Sequence, residues 1–430
     1  MSVSIVYDLS RLTTRVLRTT PNGIDRVDWL LARHFLTHPQ FETAALGLGF
    51  TGPRLLSHET SRGATDRVAA AWSEDSAVDN SSLAYEKVVA RLLAKPEALL
   101  RADRIVQPRP KRLLNVAQAV LRYGSDFGLA PRTTARRGAF YLNAANFPLD
   151  WKRHVAWLDQ RSDIRPIFFV HDLLPLERPE WFWSSEPPRH ARRLDLLARR
   201  GEGAVVASTI VEQGLRRLLE RSGRKNLTIF RKGLPVSAIF SESARPDPRL
   251  AGVPFFVTCG TIEPRKNHLL LLAVWRELVA KRGAEAPKLV IVGNRGWNSE
   301  NIVAAIEEGT LRGHVIEVAG LQTRDCKRLL DNCRALLAPS FAEGFGLPLA
   351  EALAAGTPAM ASDIPSFREQ GGERLTYLDP LSEHDWRTAI LDLAASRREA
   401  RLDSIAMDDR LAASSEKAYL TALDDFLRSL

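Results

Sequence analysis

APSFAEGFGLPLAEALAAGTPAMASDIPSFRE, residues 338–369, carries the densest information in the chain. The apolar run ALLAPS (335–340) ends in Pro339–Ser340 and reads as a buried strand. A glycine-spaced loop, EGFG, follows with Glu343, and Pro348 suits a helix start, where its missing N–H costs nothing. The helix PLAEALAA stops at Gly356, a natural C-terminal cap, with Pro358 just beyond. Such a strand–loop–helix unit sets ligand contacts at the carboxyl end of a parallel strand, where open α/β sheets build their sites. Glu343 in the loop and Glu351 about one turn into the helix are eight residues apart, so both can face one cleft. A carboxylate accepting paired hydrogen bonds from vicinal hydroxyls suits ribose or pyranose recognition. The amides of Gly344–Leu347, at a helix N-terminus, suit an anion or a sugar oxygen. On chemistry alone the acids read equally well as an exposed loop acid and a surface helix position.

The same rhythm extends outward. Apolar runs at 254–260, 288–294, 315–320, 358–363 and 375–379 alternate with helical patterns. Near-continuous apolar strands separated by helices indicate a parallel sheet covered on both faces. Upstream, SESARPDPRLAGVP (241–254) has three prolines and no apolar period, and reads as a linker. The first half repeats the alternation more weakly at 4–9, 43–50, 140–145, 165–173, 204–209 and 226–230, with no strand rhythm between 53 and 138. At 430 residues the chain exceeds one core. The expected division is a first domain over 1–245, a second over 250–405, and a terminal amphipathic helix within 406–430. That helix either crosses back to the first domain or caps the second.

Three further segments carry chemistry. CGTIEPRKNHLLLL (259–272) runs a strand into a turn, two cations and a helix start, which is a good diphosphate site. Arg265 and Lys266 read alternatively as ordinary first-turn surface residues. FFVHDLLPLERPEWF (168–182) empties a strand into His171–Asp172 and a proline-bounded loop. A lone histidine there is often structural, although a strand's carboxyl edge facing a cleft is where sites are built. TTPNGIDRVDWLL leaves the first strand and starts a helix near Ile24, with Asn22, Gly23 and Arg26 at its mouth. GLGFTG (47–52) fits the dinucleotide glycine pattern only formally, because Pro53–Arg54 follows where a helix must open.

The stretch 338–369 resembles the E-x7-E signature of the family 4 glycosyltransferases, together with EGFGLP, the AxGTP turn and SDIPxFRE. The resemblance implies a GT-B fold: α/β, two Rossmann-like, doubly wound parallel-sheet domains facing a cleft. It covers the second domain closely and the first only at 22–26, 141–151, 168–182 and near Ser208. By that likeness Glu343 contacts the transferred sugar, Glu351 binds the ribose hydroxyls, and the backbone at Gly344, Phe345, Gly346 and Leu347 approaches sugar or diphosphate. Lys266 matches the family's phosphate-binding lysine. Many members carry an arginine where this chain has Thr261, and Arg265 is the candidate to supply that charge. GNRGW (293–297) resembles a glycine turn of polysaccharide-assembling members, with Arg295 on the nucleotide side or merely structural, and Leu321 beside the base. His171 is implied near the donor sugar, and Asn22, Gly23 and Arg26 at the diphosphate or the acceptor.

The implied chemistry is hexosyl transfer with retention from a nucleotide-diphosphate sugar, GDP-mannose ahead of UDP-hexose. The implied acceptor is a glycan or lipid-linked glycan in polysaccharide biosynthesis. Neither a cofactor nor a metal is expected, since Lys and Arg charge replaces a divalent ion in GT-B enzymes. Lys and Arg number 60 against 51 Asp and Glu, a basic surplus that favours polyanions without choosing among them. Nine of the Arg and Lys lie between Arg101 and Arg137, flanking LLNVAQAVL (113–121), a candidate contact for anionic membrane or a solvated surface helix. No aromatic-interleaved basic motif supports nucleic-acid binding. Three cysteines fit no metal spacing or disulfide framework, no apolar run is long enough to span a bilayer, and the N-terminus lacks a secretory pattern. A cytoplasmic location, peripheral to the inner membrane face, is the expectation. The rival reading is a catalytically silent GT-B scaffold in a polysaccharide assembly complex.

Overall fold

The computed structural model describes residues 3–15, 21–49, 52–72, 81–95, 104–106, 128–373, 375–395 and 415–430. Two seven-stranded sheets organise the chain. The first takes β1 (Val3–Asp8), β2 (Phe41–Gly47), β3 (Arg54–Leu56), β5 (Phe140–Asn143), β6 (Arg165–Val170), β7 (Gly203–Val206) and β8 (Thr228–Arg231), in the order β3-β2-β1-β5-β6-β7-β8. All its pairings are parallel except the edge pair β2–β3. The second takes β4 (Ile105–Val106), β9 (Phe255–Cys259), β10 (Lys288–Val292), β11 (Val315–Ala319), β12 (Leu336–Ala338), β13 (Ala359–Ser362) and β14 (Thr376–Leu378). Its order is β14-β13-β12-β9-β10-β11-β4, parallel throughout. The strands are buried on both faces, so their residues run apolar without alternation, as in Phe255, Phe256 and Val257 or Leu289, Val290 and Ile291.

The division near residue 250 is not a clean cut. Residues 83–106 precede it, yet β4 lies on the edge of the second sheet through the Val318–Ile105 and Ala319–Val106 pairs. The helix Leu83–Leu93 comes with it. Buried Lys288 holds that helix by its C-terminal end, its Nζ donating to Arg91 O, Leu92 O and Ala94 O at 2.9, 2.9 and 2.6 Å. These are orphan carbonyls of a helix end, and an ammonium satisfies several at once. The terminal helix Glu416–Ser429 returns to the first domain. Phe426 stacks on Phe230 of β8 with centroids 5.1 Å apart, and Arg165 donates to Leu430 O at 2.6 Å.

At the carboxyl edge of the first sheet, a buried polar knot fixes the strand ends. Asp8 Oδ2 accepts from Tyr141 Oη at 2.5 Å and Asn143 Nδ2 at 3.0 Å, and lies 2.9 Å from His154 Nε2. Burial pushes this carboxyl's pKa up, but His154 and the hydrogen bonds outweigh it and hold the value below the usual range. Of the basic stretch between 101 and 137, residues 101–103 and 107–127, including the whole run 113–121, lie outside the described residues. Within the described part, Arg104 pairs with Glu317 and Arg136 with Glu42. No helix among the described residues is long and apolar enough to cross a membrane.

Candidate active site

The carboxyl edges of the two sheets meet, and the sequence signals converge there. The loop after β12 brings Glu343 under the turn after β9. Glu343 Oε2 lies 2.6 Å from an Arg265 guanidinium nitrogen, and Oε1 takes Lys266 Nζ at 2.5 Å and Ser340 Oγ at 2.8 Å. Arg265 reaches Glu263 on its other side, Nε to Oε1 at 2.6 Å. Burial would raise the Glu343 pKa, but Arg265 and then Lys266 outweigh it and pull the value down to about 2. Glu263 goes the other way: burial dominates the arginine's pull and raises it. A carboxylate that stays ionised between two cations is a preorganised charge cluster, already oriented for a ligand carrying both phosphate and hydroxyls.

Local sequence explains the placement. Gly260 has φ +144°, a backbone conformation that favours glycine, and the Lys266 side chain folds back over the turn to within 3.1 Å of where a Cβ would sit. Asn267, in the left-handed region, donates to Pro339 O and Pro380 O at 3.1 and 2.8 Å and ties the clamp to the end of β12. Gly346 (φ +98°) starts the helix Leu347–Ala354, with Pro348 in its first turn and Gly356 (φ +64°) closing it. A recess of about 320 Å³, counting its open mouth, lies among Lys266, Ser340, Glu343, Gly346 and Phe367.

The first domain closes on this cluster. A Cβ on Gly344 would meet His171 O at 2.0 Å, and Ser208 Oγ donates to Gly344 O at 2.5 Å. His171 stands at the end of β6, its Nε2 2.7 Å from Ala144 O. Burial lowers its pKa, which favours the neutral imidazole, and donation from Nε2 leaves Nδ1 as an acceptor. Asn22 caps the helix Gly23–Thr37 in a reciprocal box with Asp25. A Cβ on Gly23 would come 3.2 Å from Leu347, so the two helix starts abut. Arg26, one turn in, makes an ion pair with Glu351 across the cleft.

Three expected donor contacts fare differently. The Leu321 side chain is buried in the hydrophobic core, leaving only its backbone for a ligand. Arg295 lies beside Ile262 by a backbone bridge, but its guanidinium goes to Glu317 at 2.6 Å and Glu307 at 2.8 Å. In this closed arrangement the side chain braces the turn after β10, the structural one of its two expected roles. Thr261 packs against the same turn, 2.6 Å from a Cβ built on Gly296. Phe345 lies against Gly233 of the first domain, whose Cβ would come within 3.1 Å of its ring.

Two features escape a reading of single segments. Ser340 and Ser208 are legible as strand ends, but their bonds to Glu343 and, across the cleft, to Gly344 O are not. An aromatic rim spans the cleft: Trp181 stacks on Phe341 at 6.1 Å, Phe182 on Trp297 at 5.8 Å, and Trp297 Nε1 donates to Trp181 O at 2.8 Å. The GNRGW and HDLLP segments are legible one at a time; their contact is not.

Two largely parallel sheets facing a cleft, with paired acids and a cationic turn at the carboxyl edges, make a two-domain α/β fold of the GT-B type. Residues 241–402 match the family described as glycosyl transferases group 1. Among curated proteins, the chain is similar to the serotype-specific mannosyltransferase WbdA of Escherichia coli, 30% identical over 240 residues. That match covers 52% of this chain and 29% of WbdA, so the chain spans under a third of that relative's length. Solved structures share the fold. The N-terminal domain of trehalose-6-phosphate phosphatase from Candida albicans superposes with a TM-score of 0.60 at 12% identity, covering 100% of this chain and 97% of that one. Anabaena HepE, solved with UDP and glucose, gives 0.56 at 14% identity, with 99% of each chain covered.

Proposed function

We propose that this protein transfers mannose, with retention, from GDP-mannose to a glycan or lipid-linked glycan in polysaccharide assembly. The observation that carries the proposal is Glu343 ionised between Arg265 and Lys266, opposite His171 in the cleft. On this reading Lys266 and Arg265 hold the donor diphosphate. Their attraction grows as the sugar C1–O bond breaks and negative charge collects on the leaving phosphate, so they favour the transition state over the ground state. Retention follows a front-face route: the acceptor oxygen bonds to C1 on the face the phosphate leaves, and its proton passes to a phosphate oxygen. That route needs no protein base. Glu343 positions and stabilises the sugar, and neutral His171 accepts from a sugar hydroxyl. Glu351 takes the ribose hydroxyls after exchanging Arg26 for them. Lys and Arg charge takes the place of a divalent ion at this site.

Mannose as the transferred sugar is supported by the likeness to the mannosyltransferase WbdA. A lipid-linked acceptor at the inner face of the cytoplasmic membrane gives the basic surplus a purpose. The test is nucleoside diphosphate release from GDP-mannose, UDP-glucose, UDP-GlcNAc and dTDP-rhamnose, with and without membrane lipid extract. Release from GDP-mannose, reduced at least about a hundredfold by Glu343→Ala and by Lys266→Ala, is the expected result. Release from another donor overturns the mannose assignment, and silence on all four supports the scaffold.

A further inference from the structure

We propose that His34, His38 and Asp424 form a site for one divalent transition-metal ion, with Zn²⁺ the ion their donor set suits. His34 lies in the last turn of the helix Gly23–Thr37, and His38 caps it, its N–H bonded to His34 O at 2.9 Å. The four-residue spacing puts both imidazoles on one face, with ring centroids 4.9 Å apart. Asp424 arrives from the terminal helix Glu416–Ser429. Its Oδ1 is 2.8 Å from His34 Nε2, and its Oδ2 is 3.9 Å from His38 Nε2. The three ligand atoms all lie within 4.8 Å of one another. Ligands at about 2.0–2.2 Å around a tetrahedral ion are roughly 3.3 Å apart, so side-chain shifts below an ångström complete the set.

Charge points the same way. The Asp424 side chain is only 7% exposed, and among the described residues it pairs with the two imidazoles and with no Arg or Lys. A buried carboxylate requires facing positive charge, and an ion shared with two imidazoles supplies it. Two nitrogens and one carboxylate oxygen suit Zn²⁺, with a fourth position open to solvent beside His38, which is 27% exposed. Phe35 packs edge-on to His34 at 4.9 Å and Phe41 lies 5.1 Å from His38, limiting rotation of both rings. One contact must yield. Gln40 N–H donates to His38 Nδ1 at 3.3 Å, whereas a metal on Nε2 leaves Nδ1 protonated. The site is about 16 Å along the helix from Gly23, at 1.5 Å per residue, so the ion would clamp the last helix to the first domain and take no part in transfer.

The experiment uses untagged, chelator-stripped full-length protein titrated with Co²⁺ and Zn²⁺. Visible Co²⁺ absorption bands saturating at one equivalent, and a Zn²⁺-dependent rise in unfolding temperature, are expected. His38→Ala and the near-isosteric Asp424→Asn weaken binding at least tenfold and abolish the thermal shift; His58→Ala, at an exposed histidine elsewhere, changes neither. Absence of Co²⁺ bands in the wild type overturns the proposal. So does binding of equal strength in the folded His38 and Asp424 variants, because the ion then sits elsewhere.

Discussion

Glu343 is charged because its neighbours hold it so. Burial alone raises its pKa; Arg265 and Lys266 bring it to about 2, against 4.5 for a free glutamate. A depressed folded-state pKa contributes stability that is complete above about pH 4.5 and fades as pH falls toward 2. Glu343→Gln strands two cations against a neutral amide and is expected to cost about 3 kcal/mol at pH 7. Urea unfolding of both proteins at pH 7 and pH 3 checks this: the gap narrows at the lower pH, and a constant gap contradicts the charge argument. These residues were legible because each stands in a segment whose pattern names it: a strand end, a glycine, a helix start. The Arg26–Glu351 pair was not. Its partners are 325 positions apart and meet only through the closure of two domains. Arg295 is the converse case: its turn lies at the carboxyl edge of the sheet, while Glu317 and Glu307 hold its side chain, in keeping with the structural alternative that its segment also offered.

Among the elements, the buried parallel strands were readable as unbroken apolar runs because both of their faces are covered. The edges were not. β3 is three residues and antiparallel, and β4 is two residues, too short for any period. Membership of a sheet is also not written in sequence order, so the helix Leu83–Leu93 and β4 read as first-domain chain although β4 forms the edge of the second sheet. Lys288 is the residue that secures them. Burial depresses its pKa to about 8, and its Nζ donates to the three carbonyls at the end of that helix. Lys288→Met leaves those carbonyls without that donor and is expected to cost about 2 kcal/mol. Amide hydrogen exchange should show faster exchange concentrated in the helix Leu83–Leu93; uniform acceleration throughout the second domain would count against this role.

At the scale of the whole molecule, the cleft is drawn shut. Arg26–Glu351, Ser208–Gly344, Arg231–Glu369 and the aromatic rim all join the first domain to the second. Glu351 faces Arg26 where the proposed mechanism needs ribose, so donor entry requires the domains to part and then close with a new partner on the carboxylate. Arg26→Ala removes one latch, and solution scattering should show a larger radius of gyration than the wild type. An unchanged radius would mean that the pair does not hold the domains together. Closure of this kind follows from both sheets presenting their carboxyl edges to one cleft, which the likeness in residues 338–369 implies but no single strand reveals.

The central claim is that the Arg265–Lys266 turn facing Glu343 is a diphosphate site. Calorimetric titration of GDP into the wild type and Lys266→Ala tests it most directly. One equivalent bound by the wild type, with affinity at least about tenfold weaker in the variant, is the predicted result, since one charge-assisted contact contributes about 1.5–3 kcal/mol. Equal affinity in the two proteins would place the diphosphate elsewhere and remove the foundation of the proposed mechanism.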